Sequence, residues 1–292
     1  MRESQAKLSL ILATFIFGTI GIFVHYINMP TTIIAIVRGF IGSLFLIALS
    51  KYRGEKISGK SIKNNFKYLL CSGVLIGLNW IFLFEAYKYT TVAIATLCCY
   101  LAPIFIMLGS PFILKEKLSK VNIVCILVAL LGMFFISGIF DGLNLATGNF
   151  KGILLGVMSA ICYAAVIFIN KSLKNISAND MTIVQLFVAG IAFLPYALIT
   201  KNNIVINFNI ISIILLLILS MLHTGYAYAL YFKCVNTLKT QTVAIYSYID
   251  PIVAIILSTI ILKQKMSFLN MIGAVLILGS TFVSEFLENK KG

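Results

Sequence analysis

An aspartate followed directly by a proline, Asp250-Pro251, lies in the middle of a long apolar stretch of this chain. Proline has no backbone N–H, so it leaves a carbonyl about one turn upstream without its helical hydrogen bond. Kinked helices near the middle of the bilayer are where many transporters form their substrate sites. Asp250 is therefore a candidate to bind a cationic group or to carry a proton. Alternatively, it is a structural residue that satisfies the freed backbone groups.

Two other ionisable residues, Arg38 and Glu85, also interrupt apolar stretches. Ionisable side chains at membrane depth are costly, and they usually face a cavity or a partner. The planar guanidinium of Arg38 is suited to a substrate carboxylate or phosphate, but it could equally tie its helix to a neighbouring carbonyl or acid. Glu85 has Lys88 at i+3, which favours a local helix pair, and the alternative for Glu85 is a proton carrier.

Polar and aromatic residues near the middle of the apolar stretches are the other candidates to line a cavity. His223 can titrate near neutrality, so it is a third candidate proton carrier or a buried hydrogen-bonding residue. Tyr and Trp combine an apolar body with a polar tip, which suits them to enclose a small amphipathic solute, although they also populate membrane interfaces. Helical spacing predicts that Tyr226 shares a face with His223, and Tyr246 with Asp250. The candidate substrate-binding residues are Arg38, Asn79, Trp80, Tyr100, His223, Tyr226, Tyr246, Tyr248 and Asp250.

No metal or cofactor site is expected from the sequence. The chain has two histidines, and its six cysteines, at positions 71, 98, 99, 125, 162 and 234, follow no zinc or disulfide spacing. The sequence shows no phosphate-binding loop and no nucleophile triad. It therefore offers only scattered single groups where an enzyme would need clustered acid, base or metal residues.

The segments that carry the candidate residues are predicted to cross a membrane. Of the 292 residues, 60 % are hydrophobic and 11 % are charged, whereas a soluble protein has about 25 % charged residues. The apolar residues occur in runs of roughly 20, the length at which a helix spans the bilayer core. The ten predicted spans are residues 8–27, 32–50, 67–87, 91–114, 120–139, 152–170, 181–200, 211–232, 240–262 and 268–286.

The net charge of +14 is distributed in a way that indicates a membrane orientation rather than a nucleic-acid partner. With the N-terminus inside, 17 lysines and arginines fall on the inner side and 5 on the outer side. This bias follows the positive-inside rule, and it predicts that both termini lie in the cytoplasm. The basic loop 51–67 is expected to have a plain topogenic role, and the alternative is contact with anionic lipid.

The chain also contains an internal repeat. Residues 225–270 align without a gap on residues 77–122, with twelve identities in 46 positions. The repeat places Pro251 on Pro103, so these two prolines are predicted to kink equivalent helices. Because each half has five spans, the second half enters the membrane from the opposite side, as in an inverted-topology repeat. The predicted fold is an all-α integral membrane protein of ten spans, with halves 1–140 and 152–292 and an outer linker 141–151.

This arrangement resembles the EamA-like branch of the drug/metabolite transporter superfamily over nearly the whole chain. The family usually has a glutamate after the fourth helix of each half; Glu116 matches this pattern and Gln264 departs from it. Arg38 falls where relatives commonly have an arginine. The resemblance implies a permease for small metabolites, often an exporter of amino acids or related compounds, with a cavity between helices 1–4 and 6–9. It is carried by Pro103, Leu114-Lys115-Glu116-Lys117-Leu118 and Gly132, and by Pro251, Leu262-Lys263-Gln264-Lys265-Met266, Gly273 and Gly279.

These observations predict a secondary transporter (permease) of a small organic solute in a bacterial cytoplasmic membrane, and not an enzyme. The two halves are expected to rock around a midplane site, so that this site opens alternately to each side. The expected partners are the solute and membrane lipid, with the chain as a monomer or a weak homodimer. The alternatives are a membrane scaffold without transport, an intramembrane enzyme acting on lipid, and a drug or toxic-compound efflux protein of the same fold.

Overall fold

The computed structural model describes residues 3–113, 115, 119–136, 148–199, 209–235, 238 and 240–288. All regular structure within these residues is helical. The first half contains α1 (Glu3–Gly18), α2 (Ile20–Tyr26), α3 (Thr31–Tyr52), α4 (Gly59–Ala86), α5 (Val92–Cys99), α6 (Ala102–Ile113) and α7 (Lys120–Ile136). The second half contains α8 (Gly148–Lys171), α9 (Ala178–Ala192), α10 (Leu194–Ile199), α11 (Ile210–Ile218), a π-helical segment (Leu219–Tyr226), α12 (Ala227–Val235), α13 (Thr240–Ser247), α14 (Ile249–Ile260) and α15 (Phe268–Glu288). Both termini and most of the predicted linker 141–151 lie outside the described residues.

Seven helical stretches of the described chain are long and apolar enough to cross a membrane. Three shorter apolar helices, Lys120–Ile136, Ile249–Ile260 and Phe268–Ser284, overlap the fifth, ninth and tenth predicted spans. Large apolar side chains also cover the outside of the molecule; Leu44, Leu127 and Val275, for example, are 60 %, 61 % and 71 % exposed. An apolar exterior on this scale is suited to lipid and not to water. The chain is therefore a multi-pass membrane protein.

Polar residues in the short loops determine where several helices begin. The side-chain oxygens of Ser58, Thr91, Ser177 and Asn209 accept hydrogen bonds from the backbone N–H of Ser61, Ile94, Asp180 and Ile211, respectively. These are N-caps, which satisfy backbone donors that have no partner within the helix. The caps begin α4, α5, α9 and α11.

Two helical stretches are broken at equivalent positions of the sequence repeat. Helix α5 ends at Cys99 and α6 begins at Ala102, so the first break lies at Tyr100. Helix α13 ends at Ser247 and α14 begins at Ile249, so the second break lies at Tyr248. In both cases a proline, Pro103 or Pro251, lies in the first turn of the helix that follows, where its missing N–H is tolerated. The breaks leave irregular backbone within the bundle.

Helices of the two halves interleave. Helix α4 packs on α8 and α9, α3 packs on α9 and on the π-helical segment, and α1 packs on α12 and α14. Glycines allow the closest crossings: a Cβ atom added at Gly39 would lie 2.6 Å from the backbone nitrogen of Gly190. Small residues at such crossings let helix backbones approach closely in membranes. This interleaving brings side chains from both halves to the centre of the bundle.

Candidate functional site

A hydrogen bond between the two halves marks the centre of the candidate site. The hydroxyl of Tyr100 donates to Oδ2 of Asp250 at 2.6 Å. The same hydroxyl lies 3.5 Å from the carbonyl oxygen of Ser247. This carbonyl has no helical donor, because Pro251, four residues later, lacks a backbone N–H. Both helix breaks therefore contribute to this contact, because Tyr100 lies at the first break and Asp250 lies in the first turn of the helix that follows the second break.

Tyrosines surround Asp250. Tyr87, Tyr163 and Tyr228 each interact electrostatically with its carboxylate. Asp250, Tyr87, Tyr100 and Tyr228 are all partly exposed, although helices from both halves enclose them. The end of α1 packs closely against the backbone at Asp250: a Cβ atom added at Gly18 would lie 2.6 Å from the carbonyl oxygen of Asp250. Partly exposed polar groups within a bundle indicate a space that a small solute can enter.

Arg38 is the second charged group of the site. It is 2 % exposed, and its Nε donates to Oγ1 of Thr224 at 2.5 Å. Its guanidinium carbon lies 4.3 Å above the ring of Trp80 and 5.6 Å from the ring of Phe84. These are cation–π contacts, which partly compensate for the loss of water around the charge. No described carboxylate pairs with Arg38.

Arg38 and Asp250 share neighbours without pairing with each other. Tyr87 and Tyr228 each interact electrostatically with both charged groups. The ion pairs within the described residues are Lys7–Glu3 and Lys88–Glu85, both on the exposed surface. Arg38 and Asp250 therefore lie near the same tyrosines but belong to different halves of the chain.

His223 lies beside the Arg38 part of the site, on the π-helical segment. It is completely buried, its Nε2 lies 2.8 Å from Oγ1 of Thr19, and its ring contacts Phe23 edge to face at 4.7 Å. Its Nδ1 has no hydrogen-bond partner among the described residues. Tyr226, three residues later, is 40 % exposed. The spacing expected for an α-helix does not hold in a π-helix, so these two side chains point in different directions.

Asn79 connects the two halves next to the aromatic residues. Its Nδ2 donates to the carbonyl oxygen of Ser159 at 2.9 Å and to the Ser159 hydroxyl at 2.8 Å. Cys99 completes this small polar cluster, with its Sγ 3.4 Å from the Ser159 hydroxyl. Asn79 and Trp80 are both buried, at 6 % and 5 % exposed. Asn79 thus holds α4 on α8.

Three sequence-predicted residues lie apart from this centre. Glu85 accepts hydrogen bonds from Lys88 Nζ at 2.8 Å and Thr31 Oγ1 at 3.1 Å, so the predicted pair with Lys88 is present. Tyr246 packs in an apolar cluster with Leu10 of α1, because the break at Tyr248 separates it from the helix that carries Asp250.

Tyr248 is turned towards the tenth predicted span. Its ring contacts Phe282 edge to face at 5.6 Å. It also lines an apolar cavity of about 630 Å³ between α14 and α15, with Ile252, Ile256 and Phe282 among the other lining residues. This groove carries almost no polar groups, so it is suited to a lipid chain rather than to a polar solute.

The structure adds residues that the sequence did not identify as site residues. Thr224, Ser159 and Thr19 form hydrogen bonds with candidate residues, and Tyr87 and Tyr163 lie within electrostatic range of Asp250. In the sequence, these residues stand out only as polar groups near the middle of apolar stretches. Many hydroxyl residues with a purely structural role occur in the same positions. Within the described residues, no group of three or more His, Cys, Asp or Glu side chains could hold a metal ion.

Comparison with known proteins assigns the family. The model of the EamA-like transporter family matches residues 5–138 and again residues 150–286. The uncharacterized transporter YxxF of Bacillus subtilis is 29 % identical over 94 % of this chain and 88 % of its own length. An uncharacterized transporter of Clostridium kluyveri is 24 % identical over 86 % of this chain and 82 % of its own length. A solved crystal structure with a TM-score of 0.62 and 20 % identity covers 99 % of this chain and 98 % of its own, and so shares the fold. The chain therefore belongs to the EamA-like transporter family.

Proposed function

We propose that the protein is a secondary transporter that exports a small organic metabolite, an amino acid or a related compound, across a bacterial cytoplasmic membrane. The observation that carries this proposal is the convergence of partly exposed polar side chains from both halves, with Tyr100 bonded to Asp250 at the centre. Ionisable groups within a membrane bundle usually mark a solute or proton pathway. Membership in a transporter family supports the same conclusion.

The proposed architecture has ten spans in two inverted halves, residues 1–140 and 152–292, with both termini in the cytoplasm. The family model supports two halves, because it matches the chain twice. The helix breaks at Tyr100 and Tyr248 lie at equivalent positions of the repeat. The backbone is also left-handed at equivalent positions just after the broken stretches, with φ of 57° at Lys115 and 52° at Lys263. Such a conformation is typical of helix C-termini.

In the proposed mechanism, the two halves rock around the polar centre and expose it to each side in turn. Tyr100 and Asp250 come from different halves, so this movement must break or remodel their hydrogen bond. A proton or the solute that reaches Asp250 would compete with Tyr100 for the carboxylate. Asp250 is therefore the proposed proton carrier, with Glu85 and His223 as the other candidates. The driving force comes from the solute gradient, exchange or a coupled ion.

The charges of the centre favour a solute of mixed charge. A purely anionic solute would compensate Arg38 and repel Asp250, and a purely cationic solute would do the opposite. A solute with a carboxylate and an ammonium group compensates both charges. The proposed substrate-binding residues are Arg38, Trp80, Tyr100 and Asp250, with Asn79 and His223 beside them. Tyr226, Tyr246 and Tyr248, which the sequence also predicted, lie apart from this centre. The solute and surrounding lipid are the proposed partners, and a cavity within one chain is compatible with a monomer or a weak homodimer.

The test is a thermal-shift screen of the purified protein against amino acids, amines, organic acids, nucleosides and antimicrobials, followed by counterflow in proteoliposomes. A ligand of the native state raises the melting temperature by mass action. We expect an amino acid or related compound to bind, and Asp250→Asn to abolish its proton-driven transport. Transport of antimicrobials instead would make the protein an efflux transporter.

A cysteine test separates a transporter from a scaffold. In a cysteine-free background, Tyr100→Cys should react with a water-soluble thiol reagent, because Tyr100 borders the proposed aqueous cavity. Ile277→Cys is the matched control, because Ile277 is completely buried between helices. If neither cysteine reacts with the reagent and no solute shows counterflow, the protein would be a scaffold.

A further inference from the structure

Thr224 connects the Arg38 guanidinium to the π-helical segment. Its Oγ1 accepts a hydrogen bond from Arg38 Nε at 2.5 Å and donates to the carbonyl oxygen of Leu219, five residues earlier, at 3.3 Å. Its methyl group packs on the backbone of Gly42, one turn after Arg38, where an added Cβ would lie only 2.6 Å away. Thr224 is completely buried. The hydroxyl therefore cannot turn away from Arg38 without disturbing both helices.

The turn that presents Thr224 is π-helical. Segments with i→i+5 hydrogen bonds are rare and often occur at functional sites. Here the segment directs His223 towards Thr19 of the first span and the adjacent Thr224 towards Arg38 of the second. One turn of the second half thus holds two helices of the first half. The π-helical turn determines where the Arg38 guanidinium lies.

Trp80 fixes the orientation of the same guanidinium. The Arg38 group lies 4.3 Å above the indole ring, and the Nε bond to Thr224 sets its rotation about the side-chain axis. Nη1 and Nη2 donate to no described residue. Unlike His223 Nδ1, neither is a completely buried atom without a hydrogen-bond partner. These two nitrogens form the fork that binds a carboxylate with two parallel hydrogen bonds.

The fork has no protein counter-ion among the described residues. A buried charge without a partner is costly, and proteins normally pair such charges. The geometry points to the solute as the partner: we propose that Arg38 binds a planar carboxylate of the transported solute and that Thr224 is the residue that positions it. This inference rests on the proposed function, and it adds a required chemical group and a positioning residue. Lysine could not replace Arg38, because an ammonium group has no planar fork.

Trp80 is also the reporter for the test, because it is the only tryptophan of the chain. Its fluorescence should change when an anion reaches the guanidinium stacked on its ring. The probe is formate, the smallest carboxylate, titrated into the purified full-length protein at constant ionic strength. Formamide, which has the same shape without the charge, is the control ligand. We expect a saturable change with formate and none with formamide.

Variants of Thr224 then test the positioning role. Thr224→Val keeps the shape and removes the hydroxyl, and we expect it to weaken formate binding by about tenfold, the effect of one net hydrogen bond to a charged group. Thr224→Ser retains the hydroxyl and should bind formate nearly as the natural protein does. Thr281→Val is the matched control, because Thr281 is equally buried but bonds only to carbonyls of its own helix. It should leave formate binding unchanged.

Each result decides one part of the inference. No saturable formate signal from folded protein, or equal signals from formate and formamide, would overturn the carboxylate site. Equal affinity of Thr224→Val and the natural protein would overturn the role of Thr224. If formate binds but counterflow fails with every solute, the carboxylate site stands and the proposed transport function falls. If a solute is transported equally well after its carboxylate is amidated, transport stands and this inference falls.

Discussion

The hydroxyl of Tyr100 in the first half lies 2.6 Å from the carboxylate of Asp250 in the second half. These residues are 150 positions apart in the chain. Tyr100 lies at the helix break of the first half, and Asp250 lies two residues after the break of the second half. The bond therefore connects the two helix breaks that lie at equivalent positions of the repeat, and any relative movement of the halves must act on it.

The first prediction concerns Asp250 as a proton carrier. In proteoliposomes, Asp250→Asn should abolish accumulation of the solute driven by a proton gradient, because an amide cannot gain and lose the proton. Exchange of labelled for unlabelled solute should persist, since exchange requires no net proton movement, but it should need a higher solute concentration because the ammonium group loses its counter-charge. Proton-driven accumulation by Asp250→Asn at the natural rate would contradict this role and leave Glu85 or His223 as the carrier.

The second prediction concerns the stability of the Tyr100–Asp250 bond. Tyr100→Phe should lower the free energy of unfolding by about 1–2 kcal/mol, because it leaves a partly buried carboxylate without its donor. Tyr89→Phe is the control; it removes a solvent-exposed hydrogen bond from Lys151 Nζ to the Tyr89 hydroxyl, so it should cost less. Unfolding in detergent, followed by circular dichroism, measures both. Equal effects would show that the bond contributes no stability.

The third prediction concerns the glycine crossing between α3 and α9. Gly39→Ala should destabilise the protein by about 1–3 kcal/mol, because the new Cβ would lie 2.6 Å from the backbone of Gly190. Gly279→Ala is the matched control, because nothing lies within 4 Å of its Cβ position. It should leave the melting temperature unchanged or slightly raised. The two alanine variants would be indistinguishable if the crossing were loose.

The fourth prediction concerns the polar contact between Asn79 and Ser159. A double-mutant cycle of Asn79→Ala and Ser159→Ala should give a coupling energy of about 0.6–1.7 kcal/mol, between the average and the maximum for hydrogen bonds between membrane helices. Asn79→Ala combined with Ser43→Ala is the control cycle, because Ser43 bonds to a carbonyl of its own helix. That cycle should be additive. Additivity in both cycles would mean that Asn79 does not couple α4 to α8.

The fifth prediction concerns membrane orientation. In a cysteine-free background, an impermeant thiol reagent should label Asn28→Cys in intact cells, because the loop after the first span is predicted outside. Glu55→Cys should be labelled only after the membrane is opened, because the basic loop is predicted inside. Both positions are exposed in the structure. The reverse labelling pattern would invert the proposed topology and place the termini outside.

The sequence alone determined the properties that depend on local composition. Apolar runs of about 20 residues predict membrane helices wherever they occur, and seven such stretches are present in the structure. The repeat of Pro103 as Pro251 predicted disturbances at equivalent places, and the two breaks lie three residues before these prolines, at Tyr100 and Tyr248. The resemblance to the family rested on sequence motifs that occur once in each half of the chain. None of these properties requires knowledge of which helices touch.

Only the tertiary structure decided which polar groups meet. Helical spacing predicted that Tyr226 shares a face with His223 and Tyr246 with Asp250, but a π-helical turn and a helix break separate these pairs. The spacing rule assumes an uninterrupted α-helix, so it does not hold across a π-helical turn or a helix break. Arg38 and Thr224 are 186 residues apart and meet only because α3 packs on the π-helical segment. Long-range packing therefore assembled the site from residue types that the sequence could identify but not pair.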